Sequence, residues 1–357
     1  HTQWIFLQLF KSWYNKETEK AESIAHLISI FTQEGNQKIK AACEDNVLKF
    51  SAEEWKQFTA IQQQTILMDY RLAFQKESFV NWCPALGTVL ANDEIVNGVS
   101  ERGGHPVEKK KMSQWFLRIT AYAERLLQGL DTLDWSESMK EMQRNWIGKS
   151  VGAMVSFSLK NHSEKIDVFT TRVDTIFGVS FLVIAPEHEL VEKITTEEHK
   201  TQVEQYVKVC AAKSDIERQS EKQVSGQFTG AYVLHPFTQQ EVPVYIADYV
   251  LAGYGTGAVM AVPSGDQRDY LFAKKFNLPI IPISDAQQNI ENEADATKEG
   301  KYINSDFING MNYKEAVATL IQKLEKQQIG YGKINFKMRD AGYSRQRYWG
   351  EPFPIYY

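Results

Sequence analysis

Two carboxylates three residues apart, Asp266 and Asp269, end the stretch Tyr254–Asp269, which reads Y-G-T-G-A-V-M-A-V-P-S-G-D-Q-R-D. If this part is helical, both sit on the first turn and share a face. A helix N-terminus favours negative charge and keeps carboxylates ionised. A fixed carboxylate aimed into a cleft suits recognition of an ammonium group.

The elements that would hold the pair are legible in the same stretch. Gly255 and Gly257 flank Thr256 and permit a tight turn and a close backbone approach. Ala258–Val262 is an apolar run of strand length. Pro263, Ser264 and Gly265 stop the strand, and Asp266 starts a helix. An ordinary N-capped helix after a buried strand would use the same residues, and the residue types alone leave both readings open.

A second stretch, Val168–Gly178, reads V-F-T-T-R-V-D-T-I-F-G. With the first it closely resembles the editing domain of the leucyl-tRNA synthetases, which carries a T-T-R-P-D-T motif followed by Y-G-T-G-A-V-M-x-V-P…D-x-R-D. Asn81-Trp82-Cys83-Pro84, Gln114-Trp115-Phe116, Gln143-Arg144-Asn145-Trp146-Ile147-Gly148 and Ser344-Arg345-Gln346-Arg347-Tyr348-Trp349-Gly350 extend the resemblance from about residue 65 to the end. Isoleucyl and valyl relatives typically read T-T-T-P-W-T and T-T-R-P-E-T, so Asp174 points to the leucyl member. Two departures stand out. Val173 replaces the motif's Pro, and Ser264-Gly265 replaces the Gly-His of many bacterial relatives.

The resemblance implies hydrolysis of the ester between a wrong amino acid, such as norvaline or isoleucine, and the terminal ribose of leucine tRNA. It places Asp269 on the α-ammonium and Thr170 and Thr171 beside the ester. Arg172 either forks onto backbone or phosphate oxygens or pairs with Asp174. Thr175 would narrow the side-chain pocket, and Tyr254 and Met260 would touch substrate, although core packing also explains Met260. Asp174, Asp266 and Arg268 complete the implied substrate contacts. An aminoacyl ester is already activated, so positioned water suffices. No Ser/His/Asp or Cys/His triad is legible, and the seven histidines are scattered. The alternatives are an insertion that binds the tRNA 3′ end without catalysis, and the editing domain of a valyl or isoleucyl sibling.

At 357 residues the chain has room for two or three domains. A net charge of −5 gives no global attraction to nucleic acid, so contacts with tRNA would rest on local basic clusters. No apolar run is long enough to span a bilayer. Cys43, Cys83 and Cys210 are odd in number and scattered, which argues against a disulfide framework and fits a reducing cytoplasm. Both ends read as cut, which predicts an internal fragment, and a monomer is expected.

The expected fold class is α+β: an editing β-barrel, closed or partly closed and decorated with helices, a helical and zinc-ribbon-like connective part, and partial edges of a Rossmann domain. Residues 1–72 read as a helical remnant of the catalytic domain with an insertion at about 16–60. Residues 73–148 read as the ribbon-like module and connective helices, 149–335 as the editing domain, and 336–357 as a return segment to the catalytic domain. The periodicity predicts one face through Phe6, Leu9, Phe10 and Trp13, one helix from Trp55 to about Tyr70, a helix over Met112–Leu127, and a loop or flexible arm over Asp285–Gly300.

Lys111-Met112-Ser113-Gln114 superficially resembles the K-M-S-K-S loop, but the second lysine is missing and the H-I-G-H signature is absent. ATP and Mg therefore belong to the reaction of a full-length parent, and editing needs no cofactor. A structural zinc site takes four N or S ligands, and only Cys83 and His105 are available between 83 and 105. The module is expected to fold without metal; stoichiometric zinc in an elemental analysis would contradict this.

Overall fold

The computed structural model describes residues 1–44, 47–96, 98–211, 213, 217–218, 223–252, 255–343 and 354–355. They form two compact units, 1–149 with 336–357, and 150–335. Tyr254 and the motif at 344–350 lie outside the described residues.

In the first unit, helix Thr2–Phe10 ends before Trp13, which lies instead in strand Ser12–Asn15 of a three-stranded sheet. The segment 16–60 supplies the other two strands, Lys20–Ser23 and Ala41–Ala42, and a helix, Ile24–Glu34, that packs with Trp13. Trp13, Leu27, Phe31, Phe50, Trp55 and Tyr70 share one buried core. The single helix expected from Trp55 to Tyr70 is two, Ala52–Gln57 and Ala60–Met68, because Thr59 and Gln62 form a second capping box after that of Ser51 and Glu54.

Of the helix expected over Met112–Leu127, the part up to Leu117 is strand and the rest, after Arg118, is helical. Glu108–Leu117 pairs antiparallel with Ala73–Cys83 from Ala73↔Leu117 to Trp82↔Glu108; a 3-10 turn over Ile119–Tyr122 then leads into the α-helix Ala123–Asp131. A ten-residue ladder that buries Trp115 outweighs the 3.6-residue spacing of the apolar positions. In the ribbon-like part, the Ser100 hydroxyl donates to Arg102 O (2.8 Å) and accepts from His105 N–H (3.0 Å), closing the turn by hydrogen bonding. Among the described residues, no group of three His, Cys, Asp or Glu side chains is placed to hold a metal ion.

The second unit is built on β1 (Lys149–Leu159), β2 (Lys165–Thr170), β3 (Phe181–Ile184), β4 (Gln227–Leu234), β5 (Glu241–Ile246), β6 (Ala258–Ala261) and β7 (Gly330–Phe336). The strand order is β2-β1-β4-β5-β3-β6, with β7 also on β1. Along the path β2 to β6, β3 and β5 are parallel partners and the other pairs are antiparallel. The expected barrel does not close. β2 and β6 lie beside each other, but no ladder joins them among the described residues. The chain turns away at Thr170 and at Ala261, so each edge strand is too short to zip onto the other.

All four residues of β3 are buried, because the sheet is covered on both faces. Leu182 and Ile184 join Val155, Phe157 and Val244 and the helix Tyr313–Lys326 through Ala316, Leu320 and Leu324. Phe181 and Val183 face the helix Gln267–Phe276, hereafter α1, through Phe272 and Ala273. Phe181 and Phe272 stack with centroids 4.7 Å apart. Burying Phe272 fully contributes roughly 2–3 kcal/mol, which pins α1 to the sheet.

Asp285–Gly300 has almost no regular structure but is not a loose arm. Gln287 Nε2 donates to Ser264 O (2.8 Å) and Asp295 O (2.9 Å), and Asp295 N–H donates to Ser264 O (2.9 Å). The Tyr270 hydroxyl donates to Glu291 O (2.6 Å). Backbone groups that find no ladder are satisfied here by specific partners.

At Gly152, a Cβ would stand 2.1 Å from Thr170 O, so only glycine lets β1 lie this close to the end of β2. Gly152→Ala is expected to cost about 1–3 kcal/mol by overpacking, read as a lower urea midpoint. An unchanged midpoint would mean that this edge has slack.

Candidate functional site

The stripe that buries α1 also fixes its carboxylate. Asp269, Phe272, Ala273 and Phe276 fall at helical spacing, so Asp269 lies on the face turned to the sheet. It is 6% exposed. Val262 N–H donates to its Oδ2 (2.8 Å), the only hydrogen bond to this carboxylate among the described residues. Asp266 behaves differently. It is the exposed N-cap, and its Oδ1 accepts from Arg268 N–H (2.9 Å) and Asp269 N–H (3.1 Å).

Burial, and then the neighbouring charge of Asp266, push the Asp269 carboxyl up to about 8 from an ordinary value of 3.8. The cap and helix N-terminus do not overcome this loss of water. The expectation that a helix start keeps both carboxylates ionised therefore fails for Asp269 in the empty site. A cation placed against it would restore the ionised form.

Facing α1 is the turn that follows β2. Arg172 N–H donates to Thr170 Oγ1 (3.0 Å), and that oxygen keeps its own proton to donate. The Thr175 hydroxyl donates to Arg172 O (2.8 Å), inside its own turn. Thr171 is exposed. Residues Val173–Gly178 form a fully buried 3-10 turn. His235 braces it, with Nε2–H donating to Ile176 O (3.0 Å) and Nδ1 accepting from Phe237 and Thr238 N–H. Burial lowers the His235 pKa and favours this neutral form.

α1 and the turn bound one cleft of about 430 Å³, in the gap between β2 and β6. Thr170, Thr171, Arg172, Thr175, Met260, Asp266, Arg268 and Asp269 all line it. Asp174, expected among the substrate contacts, does not. It is fully buried, and its oxygens accept from Arg172 Nε (3.1 and 3.2 Å), Arg172 Nη2 (2.8 Å) and the Tyr302 hydroxyl (2.6 Å). Arg172 also donates to Ala296 O (3.0 Å) and Thr297 O (3.3 Å), tying the 285–300 segment to the turn. Both expected roles of Arg172 are thus formed within the protein, the pair with Asp174 and a fork onto backbone oxygens.

Sequence reasoning missed Phe169, Tyr249, Val250, Val259 and Val262 in the wall, and Tyr302 as the partner of Asp174. Phe169 and Val259 adjoin the predicted residues Thr170 and Met260, but strand alternation sends neighbours to opposite faces, so it would have directed them away from the cleft. Nothing local marks Tyr302, 128 residues from Asp174.

Asp269 has a sign-definite effect on stability. The folded carboxyl keeps its proton up to about pH 8, whereas the unfolded chain releases it near the ordinary value of 3.8. Its contribution is complete below about 3.8 and is lost as pH rises through about 8. Asp269→Asn should match the parent at pH 4 and exceed it at pH 9 by more than about 1 kcal/mol. Urea unfolding at the two pH values tests this, and equal differences would contradict the raised pKa.

Comparison with known proteins follows the same motifs. The family described as leucyl-tRNA synthetase, editing domain, matches residues 144–325. The leucine–tRNA ligase of Christiangramia forsetii is 60% identical over 358 residues, covering 100% of this chain and 37% of that protein. The leucine–tRNA ligase of Flavobacterium psychrophilum is 58% identical over 380 residues, covering 100% of this chain and 40% of that protein. This chain therefore spans about two fifths of the length of these curated relatives. A crystal structure of a ternary complex of Agrobacterium radiobacter LeuRS, tRNA and LeuAMS superposes with a TM-score of 0.62 at 33% identity, covering 85% of this chain and 34% of that one. The chain belongs to the leucyl-tRNA synthetase editing-domain family.

Proposed function

We propose that this chain carries the post-transfer editing activity of a leucine–tRNA ligase, hydrolysing the ester between a wrong amino acid and the terminal ribose of leucine tRNA. The observation that carries the reading is the facing of Asp269 and the Thr170–Thr175 turn across one cleft. The activity of the whole protein, with its ATP and Mg, belongs to this proposal, as do a monomeric state and a cytoplasmic location. So do the finer assignments of 1–72 and 336–357 to catalytic-domain edges and of 73–105 to a metal-free ribbon. Among the described residues no helix is long and apolar enough to cross a membrane. The family match and the relatives above are leucyl, which favours that reading over a valyl or isoleucyl sibling.

In the proposed reaction, Asp269 holds the α-ammonium of the ester, which supplies the countercharge that its burial lacks. Thr170, whose proton is not used within the turn, donates to the carbonyl oxygen as negative charge develops there. Water attacks the carbonyl carbon. The bond from that carbon to the ribose oxygen breaks, and a proton from the water ends on the ribose oxygen. The products are a free amino acid and an intact tRNA end. Thr171 and Met260 flank the substrate, Arg268 is a cation at the rim for its polar or anionic parts, and Tyr254 is proposed as a further contact. Arg172 acts by holding the turn, since its fork is engaged by Asp174 and two carbonyls.

Selectivity needs a sieve, because one methylene in a binding pocket is worth only about 1–3 kcal/mol. The Thr175 hydroxyl is engaged with Arg172 O, so its part in the sieve is bulk rather than chemistry. Hydrolysis of isoleucine-, norvaline- and leucine-charged leucine tRNA tests the reading. The parent should release the first two and spare the third. Thr175→Ala should release leucine as well, whereas Thr175→Val, of equal shape, should still spare it. Asp269→Ala should lower release by at least about 100-fold, the scale of losing a fixed electrostatic anchor. A folded parent that binds charged tRNA without releasing anything would favour the binding-only reading.

A further inference from the structure

Tyr249 stands in the wall of the cleft with a hydroxyl that no described protein group uses. Its oxygen is buried and has no hydrogen-bond partner. Buried phenols normally find a partner, and an orphan beside a ligand cleft marks a place where the ligand supplies it. The residue is also held firmly. Arg218, itself 3% exposed, donates through Nε to Asp248 O (2.6 Å) and through Nη2 to Val250 O (2.7 Å), fixing the carbonyls on both sides of Tyr249. The Arg268 guanidinium lies 5.3 Å over its ring, and Phe272 meets it edge-on at 6.2 Å. No such framework is needed for a side chain that only fills space.

An ammonium group carries three N–H donors and no acceptor. The three donors of an ammonium diverge, so a single carboxylate cannot face them all, and Asp269 Oδ2 already accepts from Val262 N–H; the carboxylate alone leaves a donor of a bound ammonium unmatched. Burial, and then the Asp269 charge, push the Tyr249 phenol well above its ordinary value, so its oxygen stays a neutral hydroxyl. We propose that Tyr249 is a binding residue of this cleft, its phenol oxygen accepting a second hydrogen bond from the α-ammonium that Asp269 holds. This rests on the reading of the cleft as an aminoacyl-ester site.

The test is calorimetric binding of two probes to the whole chain. One is adenosine carrying norvaline through a non-hydrolysable amide on the ribose. The other is the same compound without the α-amino group. Tyr249→Phe should weaken the first about tenfold, the scale of a hydrogen bond to a charged group, and leave the second within about twofold. The empty variant should melt no lower than the parent, because it loses an unsatisfied hydroxyl rather than a contact. Equal affinity of parent and Tyr249→Phe for the amino probe would overturn the proposal, and so would equal losses on both probes. If the parent binds the amino probe and Asp269→Asn loses it while Tyr249→Phe does not, this proposal alone falls. If the parent binds neither probe, the reading of the cleft falls and takes the proposal with it.

Discussion

The site depends on the way α1 must lie. Phe272, Ala273 and Phe276 have to reach the sheet, and the helical repeat then carries Asp269 to the same side. A carboxylate on an apolar stripe is a local conflict between packing and solvation. Here the conflict defines the chemistry. The protein groups of the cleft leave an acid that prefers its proton, and a cationic ligand would relieve both the burial and the repulsion from Asp266. Binding selectivity for an ammonium over a neutral group follows from that cost, without any large number of contacts.

The opposite wall solves the reverse problem. The threonine turn needs a rigid backbone so that small hydroxyls point correctly, and its stiffening is ionic. Arg172, Asp174 and Tyr302 form a buried network behind it, with His235 closing the far side as a neutral imidazole. Removing Arg172 or Asp174 would leave the other as an uncompensated charge. The sheet joins the two walls while leaving a gap. Because β2 and β6 end short of pairing, two edges that would otherwise need covering become the sides of a cleft.

Much of this was legible in the residues. The strand–turn–helix around Asp269 is legible in apolar runs, Gly and Pro punctuation and cap spacing, and it folds that way because those signals are local, whereas the threonine turn is legible only through its motif. Other features were not legible because they are set over distance. Glu108–Leu117 has apolar residues at helical spacing, yet a long partner strand claims it. Trp13 follows a helical face but is taken by a sheet completed at Ala41–Ala42. Asp174 sits among substrate contacts in the motif, and only Tyr302 and the fork of Arg172 show that its charge is consumed internally. The proton affinity of Asp269 was misjudged for the same reason. The helix start is visible in sequence, whereas the depth of the carboxylate depends on Phe181 and the far face of the sheet.

The segment 285–300 reaches the site mainly through main-chain atoms. Glu291, Ala296 and Thr297 contribute carbonyl oxygens, and Asp295 contributes its N–H. Main-chain groups are common to every residue type, so side chains at Glu291, Ala296 and Thr297 are free to drift without loosening these bonds. Length is a different matter. One inserted residue displaces the following carbonyls by up to about 3.5 Å, farther than a hydrogen bond tolerates. Apart from Gln287, whose side chain bonds Ser264 O, and Asp295, whose carboxylate bonds Thr297 N–H, the segment acts as a ruler, tolerant of composition at Glu291, Ala296 and Thr297 and intolerant of insertion or deletion.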